Sequence, residues 1–451
     1  MWSELAFPDD ASSGQLDHEP RRPNVNVGAS RPHLRSLLWT AAFSSAATLL
    51  ITRNFFEAER TIHHLITLEH GPEDPRFRRT MSQLLGPPLL EGNKVTALQN
   101  GDQIFPAMLS AIQAARRSIT FENFIFREGR IVDQFAQSLA ERARAGVKVH
   151  FLQDAMGCDC LHGSAMRLLK RSGVEVEIFP FMHFGRFNYR THRKLLIVDG
   201  CVGFIGGVGI GDKWEGQGRL PGQWRDSHYR VEGPVVAQMQ QAFMDNWMQI
   251  HAVVLHGDDY FPELAPAGDS VCQVFKSSAV EGADSARIMF LLSLAAARRS
   301  IRIANSYFIP DNLCVATLVE ARRRGVEVEI ITPGPLIDLR VVRIVGRSRW
   351  NALLQAGVRF YEFQPALFHC KYMIVDNCWV SVGSANLDNR SLRLNEEANL
   401  NVLDKEVANH QVGIFNADKE QAREIRLSDW SCRPLSEKLI GRVAGLFRSQ
   451  M

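Results

Sequence analysis

Apolar and polar positions along the chain follow two rhythms that alternate. Stretches with apolar residues at helical spacing end at a glycine, and each is succeeded at once by a run of β-branched residues. Gly146 precedes the run 147–149, and Gly325 precedes 326–328. Glycine commonly follows the last turn of a helix and β-branched runs favour strands, so the pattern predicts helix, turn and strand in succession. Such an alternation is typical of an α/β sandwich.

The same segments occur once in each half of the chain. The stretch 114–119 returns almost unchanged at 296–301, and each copy leads into a predicted apolar strand, at 121–126 and at 301–309. A third echo pairs 172–176 with 356–360. An internal repeat of this kind predicts two related halves built from the same elements.

The N-terminal region has a different pattern. Residues 1–35 are polar with little apolar periodicity, which predicts a disordered segment. Residues 36–52 are uncharged and stand at the lower limit for a membrane span, so we expect a membrane anchor, with an interfacial helix as the alternative because serines and threonines dilute the apolarity. A cleaved signal peptide is disfavoured by the long polar segment before it. Residues 53–90 are predicted to be a linker.

Composition excludes few classes of protein. The 451 residues are 45% hydrophobic and 22% charged, which suits a globular protein with more than one core. The net charge is only +3, from 52 basic and 49 acidic residues, and this argues against a nucleic-acid partner. The cysteines, including Cys158 and Cys160, do not have the spacing of a zinc site, so free thiols are expected.

Candidate chemistry comes from a string that occurs twice, His-x-Lys-x-x-x-x-Asp. The residues of the two copies are His192, Lys194 and Asp199, and His369, Lys371 and Asp376. Each copy spans an apolar run, 195–198 or 372–375, that predicts a buried strand on which histidine and lysine share a face. Two imidazoles and two ammonium groups at one point suit attack on a phosphodiester, with one histidine as nucleophile, the other as acid and the lysines neutralising phosphate oxygens.

A single His-x-Lys string is a weak signal, because most such pairs are solvated or structural. The stretch downstream of each copy also repeats, and this favours the catalytic interpretation. Its glycine, polar and acidic residues are Gly206, Gly207, Gly209 and Asp226 in the first half, and Gly383, Ser384, Asn386 and Glu397 in the second.

On these residues the chain resembles the phospholipase D superfamily, and within it the cardiolipin synthase branch. The resemblance is closest over 368–397, and 306–311 looks like that branch's strand leading towards its active site. It implies two tandem phospholipase D-like α/β lobes, pseudo-twofold mixed-sheet sandwiches at 91–255 and 270–451. It also implies one active site at their interface, with no metal ion or other cofactor.

The resemblance further implies roles for individual residues. His192 would be the nucleophile, forming a phosphohistidine, and His369 the general acid and then base. Lys194, Lys371 and Asn386 would hold the non-bridging oxygens of the phosphate. The carboxylates expected to orient the histidines are Glu397 and Asp226. Asp199 and Asp376 complete the catalytic motifs, although a structural role at the turn after each strand is equally open.

The first half departs from the family pattern at two positions. Gly207 and Gly209 stand where the second half has Ser384 and Asn386. Backbone amides of the glycine-rich turn are candidates to bind phosphate in their place. Alternatively, the site is weaker or takes a different substrate.

Three functions compete on the sequence. The leading hypothesis is a phosphatidyltransferase that makes cardiolipin from two phosphatidylglycerol molecules and releases glycerol, at the bacterial inner membrane. The second is a phosphodiesterase that hydrolyses a phospholipid or, less in keeping with the charge, a nucleic acid. The third is a non-catalytic lipid-binding module. The expected partners are a phospholipid and a membrane surface, and the sequence leaves the oligomeric state open.

Overall fold

The protein is described by a computed structural model covering residues 32–55, 62, 64–158, 163–180, 189–278, 284–434 and 440. The segment expected to be disordered, 1–35, lies outside the described residues apart from its last four, which begin a helix. Cys160 also lies outside them.

Helices in the described part of the chain have these bounds: α1 Pro32–Phe55, α2 Pro75–Leu85, α3 Asn100–Ala114, α4 Arg130–Arg144, α5 Ser164–Arg171, α6 Val236–His251, α7 Ser285–Ala296, α8 Asn312–Arg323, α9 Arg340–Ser348, α10 Trp350–Gln355, α11 Asn389–Arg393, α12 Lys405–Glu420 and α13 Leu427–Ser431, with a short 3-10 helix at Asp212–Trp214.

Strands have these bounds: β1 Leu90–Gln99, β2 Ser118–Asn123, β3 Lys148–Asp154, β4 Glu175–Phe179, β5 Arg190–Thr191, β6 Leu195–Val198, β7 Val202–Gly206, β8 Trp224–Arg225, β9 Ser227–Glu232, β10 Ser270–Ser277, β11 Ser300–Asn305, β12 Glu327–Pro333, β13 Arg359–Phe363, β14 Leu367–Phe368, β15 Lys371–Val375, β16 Trp379–Gly383, β17 Asn395–Leu403 and β18 Ala422–Ile425.

The N-terminal unit consists of residues 1–52, and α1 accounts for its described part. Leu37, Leu38, Trp39 and Phe43 are all exposed on this helix. Within the described ranges, no helix combines the length and the apolarity needed to cross a membrane. Both alternatives for 36–52, a membrane anchor and an interfacial helix, stay predictions.

One mixed sheet runs through both halves of residues 53–451. Its strand order is β18-β13-β12-β11-β15-β16-β17-β10-β1-β9-β7-β6-β2-β3-β4, with β5 added beside β17. The parallel set β2, β3 and β4 in the first half corresponds to β11, β12 and β13 in the second. The halves join where β1 pairs with β10, antiparallel, at the centre of the sheet.

Three hydrophobic clusters lie against this sheet. One belongs to the first half, around α3 and α4, and one to the second, around α7 and α8. The central cluster takes residues from both halves, among them Phe243 and Trp247 of α6 and Phe415 of α12. Because each large buried side chain contributes about 1.5–3 kcal/mol, this shared cluster binds the halves strongly to each other.

The segment expected to be a linker, 53–90, is not one throughout. Its residues 75–85 form α2, and Phe77, Met81 and Leu85 of this helix are buried in the core of the second half. The ring of Phe77 lies edge-on to that of Trp379 with their centroids 5.0 Å apart. These three apolar residues are spaced by four. Asp74 caps the start of the helix, Pro75 takes its first position and Gly86 follows its last turn, so the helix carries ordinary sequence signals that the linker prediction did not use.

Several elements match the prediction closely. The run 195–198 is β6, 372–375 lies within β15, and Gly146 and Gly325 follow α4 and α8 with φ of +89° and +88°. The strand predicted at 301–309 ends early, at Asn305. There the side-chain oxygen of Asn305 accepts hydrogen bonds from the backbone amides of Tyr307 and Leu387, which turns the chain towards the site.

Candidate active site

Both histidine motifs meet where the halves face each other, and charged residues around them are paired across the junction. Residues of the first half contact residues of the second in four buried pairs. These pairs are His192 with Glu397, Arg193 with Glu396, Arg225 with Asp418, and His369 with Asp226. Each histidine is therefore held by a carboxylate from the opposite half, and neither half contains a complete site.

His192 lies just before β6, in a position fixed by its backbone. Its amide donates to the carbonyl oxygen of Glu396 on β17 at 2.9 Å. Its Nδ1 lies 3.0 Å from both carboxylate oxygens of Glu397, and that carboxylate also accepts hydrogen bonds from Ser384 and Asn395. Because an ionised carboxylate only accepts, Nδ1 carries the proton and Nε2 keeps its lone pair.

His369 has the equivalent arrangement with a different set of donors. Its Nδ1 lies 2.7 Å from Oδ2 of Asp226, and its amide donates to the carbonyl oxygen of Arg225 at 2.7 Å. The Asp226 carboxylate also accepts hydrogen bonds from the backbone amide of Ser227, at 2.8 Å, and from the indole Nε1 of Trp214, at 3.1 Å. The rings of Trp214 and Trp224 pack around the His369 imidazole.

The two motif lysines lie beside their histidines but differ in one contact. Each Nζ donates to the backbone carbonyl oxygen two residues before it, Lys194 to His192 and Lys371 to His369, at 2.7 Å in both cases. Nζ of Lys371 also lies 3.1 Å from Nε2 of His369. Nζ of Lys194 instead lies over the ring of Phe124, 5.5 Å from its centroid.

Burial controls the charge states in the site. It lowers the pKa of His192 to about 4 and that of Lys194 to about 7, and it also lowers the pKa values of His369 and Lys371. Burial alone would raise the pKa of the two carboxyls, but their histidine partners, the nearby lysines and the other hydrogen-bond donors together hold the pKa values of Glu397 and Asp226 below the ordinary range. At neutral pH the structure therefore presents neutral imidazoles on ionised carboxylates.

The glycines of the first half are explained by this packing. A Cβ atom on Gly207 would lie 2.4 Å from Oδ1 of Asp226, and one on Gly209 would lie 2.8 Å from the indole of Trp214. The amide of Gly207 already donates to the carbonyl oxygen of Ser227. Trp214 thus donates to Asp226 as Ser384 donates to Glu397. Gly209 makes room for that indole, and Gly207 makes room for the carboxylate that accepts from it. The polar group that seemed lost from the first half is supplied by another residue.

Sequence reasoning missed Trp214 because the repeat offers it no counterpart in the second half. The sequence does contain one indication of it. Gly207 and Gly209 stand where the second half has residues with side chains, and two such glycines indicate that other groups occupy the space.

Asp199 and Asp376, predicted as members of the catalytic motifs, lie at the far ends of β6 and β15 from the histidines. The Asp199 carboxylate accepts hydrogen bonds from the backbone amides of 116–118, and that of Asp376 from the amides of 298–300. Both have φ near +54°, in the left-handed region. Their contacts support the structural alternative: each carboxylate fastens the turn after a motif strand to the start of the neighbouring strand.

Asn386 follows β16 on the loop before α11, and its side chain is held in one orientation. Its Oδ1 accepts a hydrogen bond from Oγ of Ser306 at 2.8 Å, so the amide nitrogen faces away from that serine. The amide nitrogen has no partner among the described residues and is available as a donor. No group of three or more His, Cys, Asp or Glu side chains in the described ranges is arranged to hold a metal ion.

Comparison with known proteins gives consistent matches. Residues 108–215 and 291–419 match the family described as "Cardiolipin synthase, PLD-like domain". Cardiolipin synthase A of Pseudomonas putida (strain GB-1) is 35% identical over 376 residues, which cover 82% of this chain and 77% of that protein. Cardiolipin synthase A of Pseudomonas syringae pv. syringae (strain B728a) is 34% identical over 358 residues, covering 78% and 74%.

A solved structure has the same fold. The phosphatidylserine synthase of Haemophilus influenzae Rd KW20 superposes with a TM-score of 0.65 at 12% identity, covering 83% of this chain and 100% of that chain. The match supports the predicted fold class, tandem α/β lobes of the phospholipase D type.

Proposed function

The chain belongs to the cardiolipin synthase family with PLD-like domains, and from this premise we propose that it is a phosphatidyltransferase that makes cardiolipin from two phosphatidylglycerol molecules and releases glycerol. The observation that carries the proposal is the reciprocal pairing of His192 with Glu397 and of His369 with Asp226. The pairing leaves both Nε2 atoms directed away from the carboxylates, with two lysines beside them.

In the first step, Nε2 of His192 attacks the phosphorus of phosphatidylglycerol. A P–N bond forms, the P–O bond to glycerol breaks, and the electron pair of that bond leaves on the glycerol oxygen. His369 delivers a proton to this oxygen through Nε2, and the adjacent ammonium of Lys371 is its proton source. Because burial lowers the pKa of Lys371, this lysine gives up a proton more readily than an exposed one.

In the second step, a second phosphatidylglycerol takes the place of glycerol. His369 removes the proton from its headgroup hydroxyl, the resulting oxygen attacks phosphorus, and the P–N bond to His192 breaks. One proton has been delivered and one taken back, so the site returns to its starting state. Lys194 and the amide nitrogen of Asn386 stabilise the charge on the non-bridging oxygens in both steps, and Lys371 does so while it holds its proton.

Glu397 and Asp226 keep each imidazole in the tautomer that these steps need. Both accept from Nδ1, which leaves Nε2 for phosphorus in one case and for the alcohol in the other. Ser384 and Trp214 act through these carboxylates, and we class them as positioning residues. We further propose that the protein works at the bacterial inner membrane, since phospholipids are its substrates.

The test is incubation of the full chain with labelled phosphatidylglycerol, resolving every lipid product. His192→Ala and His369→Ala serve as variants, and Leu427→Ala, a change at an exposed surface leucine, serves as the matched control. Cardiolipin and free glycerol from the wild type and the control alone would support the proposal. Phosphatidic acid as the sole product would make the protein a hydrolase, and lipid binding without turnover would make it a binding module.

A further inference from the structure

Large apolar side chains are exposed on two loops of the described chain. On 335–341, which comprises the loop after β12 and the first residues of α9, Leu336, Leu339 and Val341 are 36%, 49% and 43% exposed. Leu220, on the loop before β8, is 61% exposed. Single exposed apolar residues are common on protein surfaces. Three within seven residues form an apolar patch, and such patches mark sites of interaction with a partner or a membrane. We call residues 219–220 and 335–341 the rim.

Both loops of the rim are fastened to the site. Tyr307 donates from its hydroxyl to Oδ2 of Asp338, at 2.6 Å, and its neighbour Ser306 holds Asn386. The charge of Asp338 also acts on His369. The rim therefore contains a residue whose field reaches the proposed general acid.

The loop of Leu220 reaches the same histidine from the other side. The carbonyl oxygen of Leu220 accepts from the amide of Gln223, and the carbonyl oxygen of Gln223 accepts from the amide of Leu367, two residues before His369. The loop of Leu220 is therefore connected through two backbone hydrogen bonds to the short strand that precedes His369.

The charges of the rim select the kind of surface that covers it. Arg219 precedes Leu220 and Arg340 follows Leu339, and both arginines are exposed and form no ion pair with any described residue. Arg343 and Arg347 on α9 instead both form ion pairs with the buried Glu362. Leucines next to unpaired arginines suit a membrane surface, where apolar side chains enter the acyl-chain region and arginines contact anionic headgroups.

We propose that the rim docks on an anionic phospholipid bilayer and holds the site mouth against the headgroups while the lipid tails stay in the membrane. The inference rests on the proposed function for its substrate. The leucines of the rim enter the interface and the arginines contact lipid phosphates. The rim is distant from α1 in sequence. It would therefore give residues 53–451 a membrane contact that does not involve α1.

The first measurement follows the environment of one rim position in the full chain. A cysteine is introduced by Leu339→Cys, labelled with an environment-sensitive fluorophore, in a background carrying Cys160→Ser, Cys201→Ser and Cys432→Ser. Leu427→Cys is the matched control, because Leu427 is 41% exposed and follows β18 at the sheet edge away from the site. Vesicles of phosphatidylglycerol are compared with vesicles of phosphatidylcholine, and a lipid brominated in its acyl chain is added as a quencher.

We expect a blue shift and quenching at position 339 on phosphatidylglycerol vesicles, little change on phosphatidylcholine, and no change at position 427. An unchanged signal at 339, or an equal response at both positions, would overturn the docking. An equal response to both lipids would overturn its selectivity for anionic surfaces. The fluorescence readout does not need turnover. Docking without any phospholipid product would therefore contradict the proposed function and still support docking by the rim.

Turnover provides the second measurement. Leu336→Asp with Leu339→Asp should lower kcat/KM on phosphatidylglycerol vesicles at least tenfold, and change it less than twofold on short-chain phosphatidylglycerol dissolved as monomers. Leu336→Ser with Leu339→Ser is a milder pair that should show the same split, and circular dichroism checks the fold of both. An equal loss on vesicles and monomers by a folded variant contradicts the proposal.

Discussion

The Nε2 atom of His369 lies 3.1 Å from Nζ of Lys371, whereas Nε2 of His192 has no hydrogen-bond partner among the described residues. The two motifs are alike in sequence and both imidazoles are neutral, but their Nε2 atoms have different contacts. His369 has a cation in place to supply its proton, and His192 has an open lone pair. This difference supports the assignment of His192 as nucleophile and His369 as acid, which the motifs alone leave undecided.

The assignment predicts that the two histidines respond differently to the leaving group. On a phosphatidyl ester of p-nitrophenol, which departs without protonation, His369→Gln should release about one equivalent of phenol per enzyme and then stall. On phosphatidylglycerol the same variant should lose about 10²–10⁴-fold in kcat, the usual contribution of a general acid. His192→Gln should give no burst on either substrate, and a burst from it would reverse the roles.

The pKa shifts predict an acid limb and an alkaline limb for kcat/KM measured on a monomeric short-chain substrate. His192 attacks only when neutral, so activity should fall as the pH drops through about 4, well below the range of an ordinary histidine. Lys194 loses its charge as the pH rises through about 7, and phosphate binding should weaken there. Lys194→Arg should remove the alkaline limb without moving the acid one. An alkaline limb that stays in place would exclude Lys194 as its source.

Trp214 and Ser384 should act on different steps. Trp214→Phe keeps the ring but removes the indole donor to Asp226, and hydrogen bonds to charged groups are worth about 1.5–3 kcal/mol. We expect roughly a tenfold or greater loss of rate on phosphatidylglycerol and little loss on the nitrophenyl ester, because Asp226 serves the acid. Ser384→Ala should lower both rates alike, because Glu397 serves the nucleophile. Equal behaviour of the two variants would contradict the division.

Restoring the family pattern in the first half should damage the enzyme. Gly207→Ser would place a Cβ atom 2.4 Å from Oδ1 of Asp226, and that carboxylate would have to move away from His369. We expect a loss of kcat of about tenfold or more, with a fold that circular dichroism shows to be unchanged. Gly413→Ser is the matched control, since nothing lies within 4 Å of a Cβ atom there. A Gly207→Ser variant with wild-type or higher activity would show that the glycines do weaken the site.

Asp199 and Asp376 should prove structural. Asp376→Ala removes an acceptor of three backbone amides, at a cost of about 2 kcal/mol, and leaves a less suitable residue at positive φ. Asp376→Asn keeps one acceptor oxygen and tolerates that φ, so its melting temperature should lie between those of the wild type and the alanine variant. Full stability combined with a collapse of kcat would instead return the aspartate to the chemistry.

The sequence predicts those elements of the fold that are determined by residues close together in the chain. Positions Gly146 and Gly325 end helices because the turn needs a positive φ, and the run 195–198 is a strand because it is buried on both faces. The bounds of β11 were missed because Asn305 turns the chain with contacts to a residue 82 positions away. Helix α2 was missed because 53–90 was interpreted as a linker as a whole, although Phe77, Met81 and Leu85 have helical spacing between the capping residue Asp74 and Gly86.

The site was predictable as far as the repeat reaches. Comparing the halves identifies His192 with His369 and Asp226 with Glu397, since equivalent positions carry equivalent residue types. Trp214 was invisible to that comparison because it belongs to one half alone. The contact between Lys371 and His369 was likewise out of reach, because the burial that distinguishes the two motifs is a property of the folded chain.

The four charged pairs that cross between the halves bear on how the protein unfolds. If the halves separated along β1 and β10, Glu396, Glu397, Asp226 and Asp418 would each lose a cationic or hydrogen-bonding partner. Separation would also expose the large apolar side chains of the central cluster that both halves share, each worth about 1.5–3 kcal/mol. A molecule with one half native and the other detached is therefore heavily penalised, and residues 53–451 should melt in a single cooperative transition despite having more than one hydrophobic cluster.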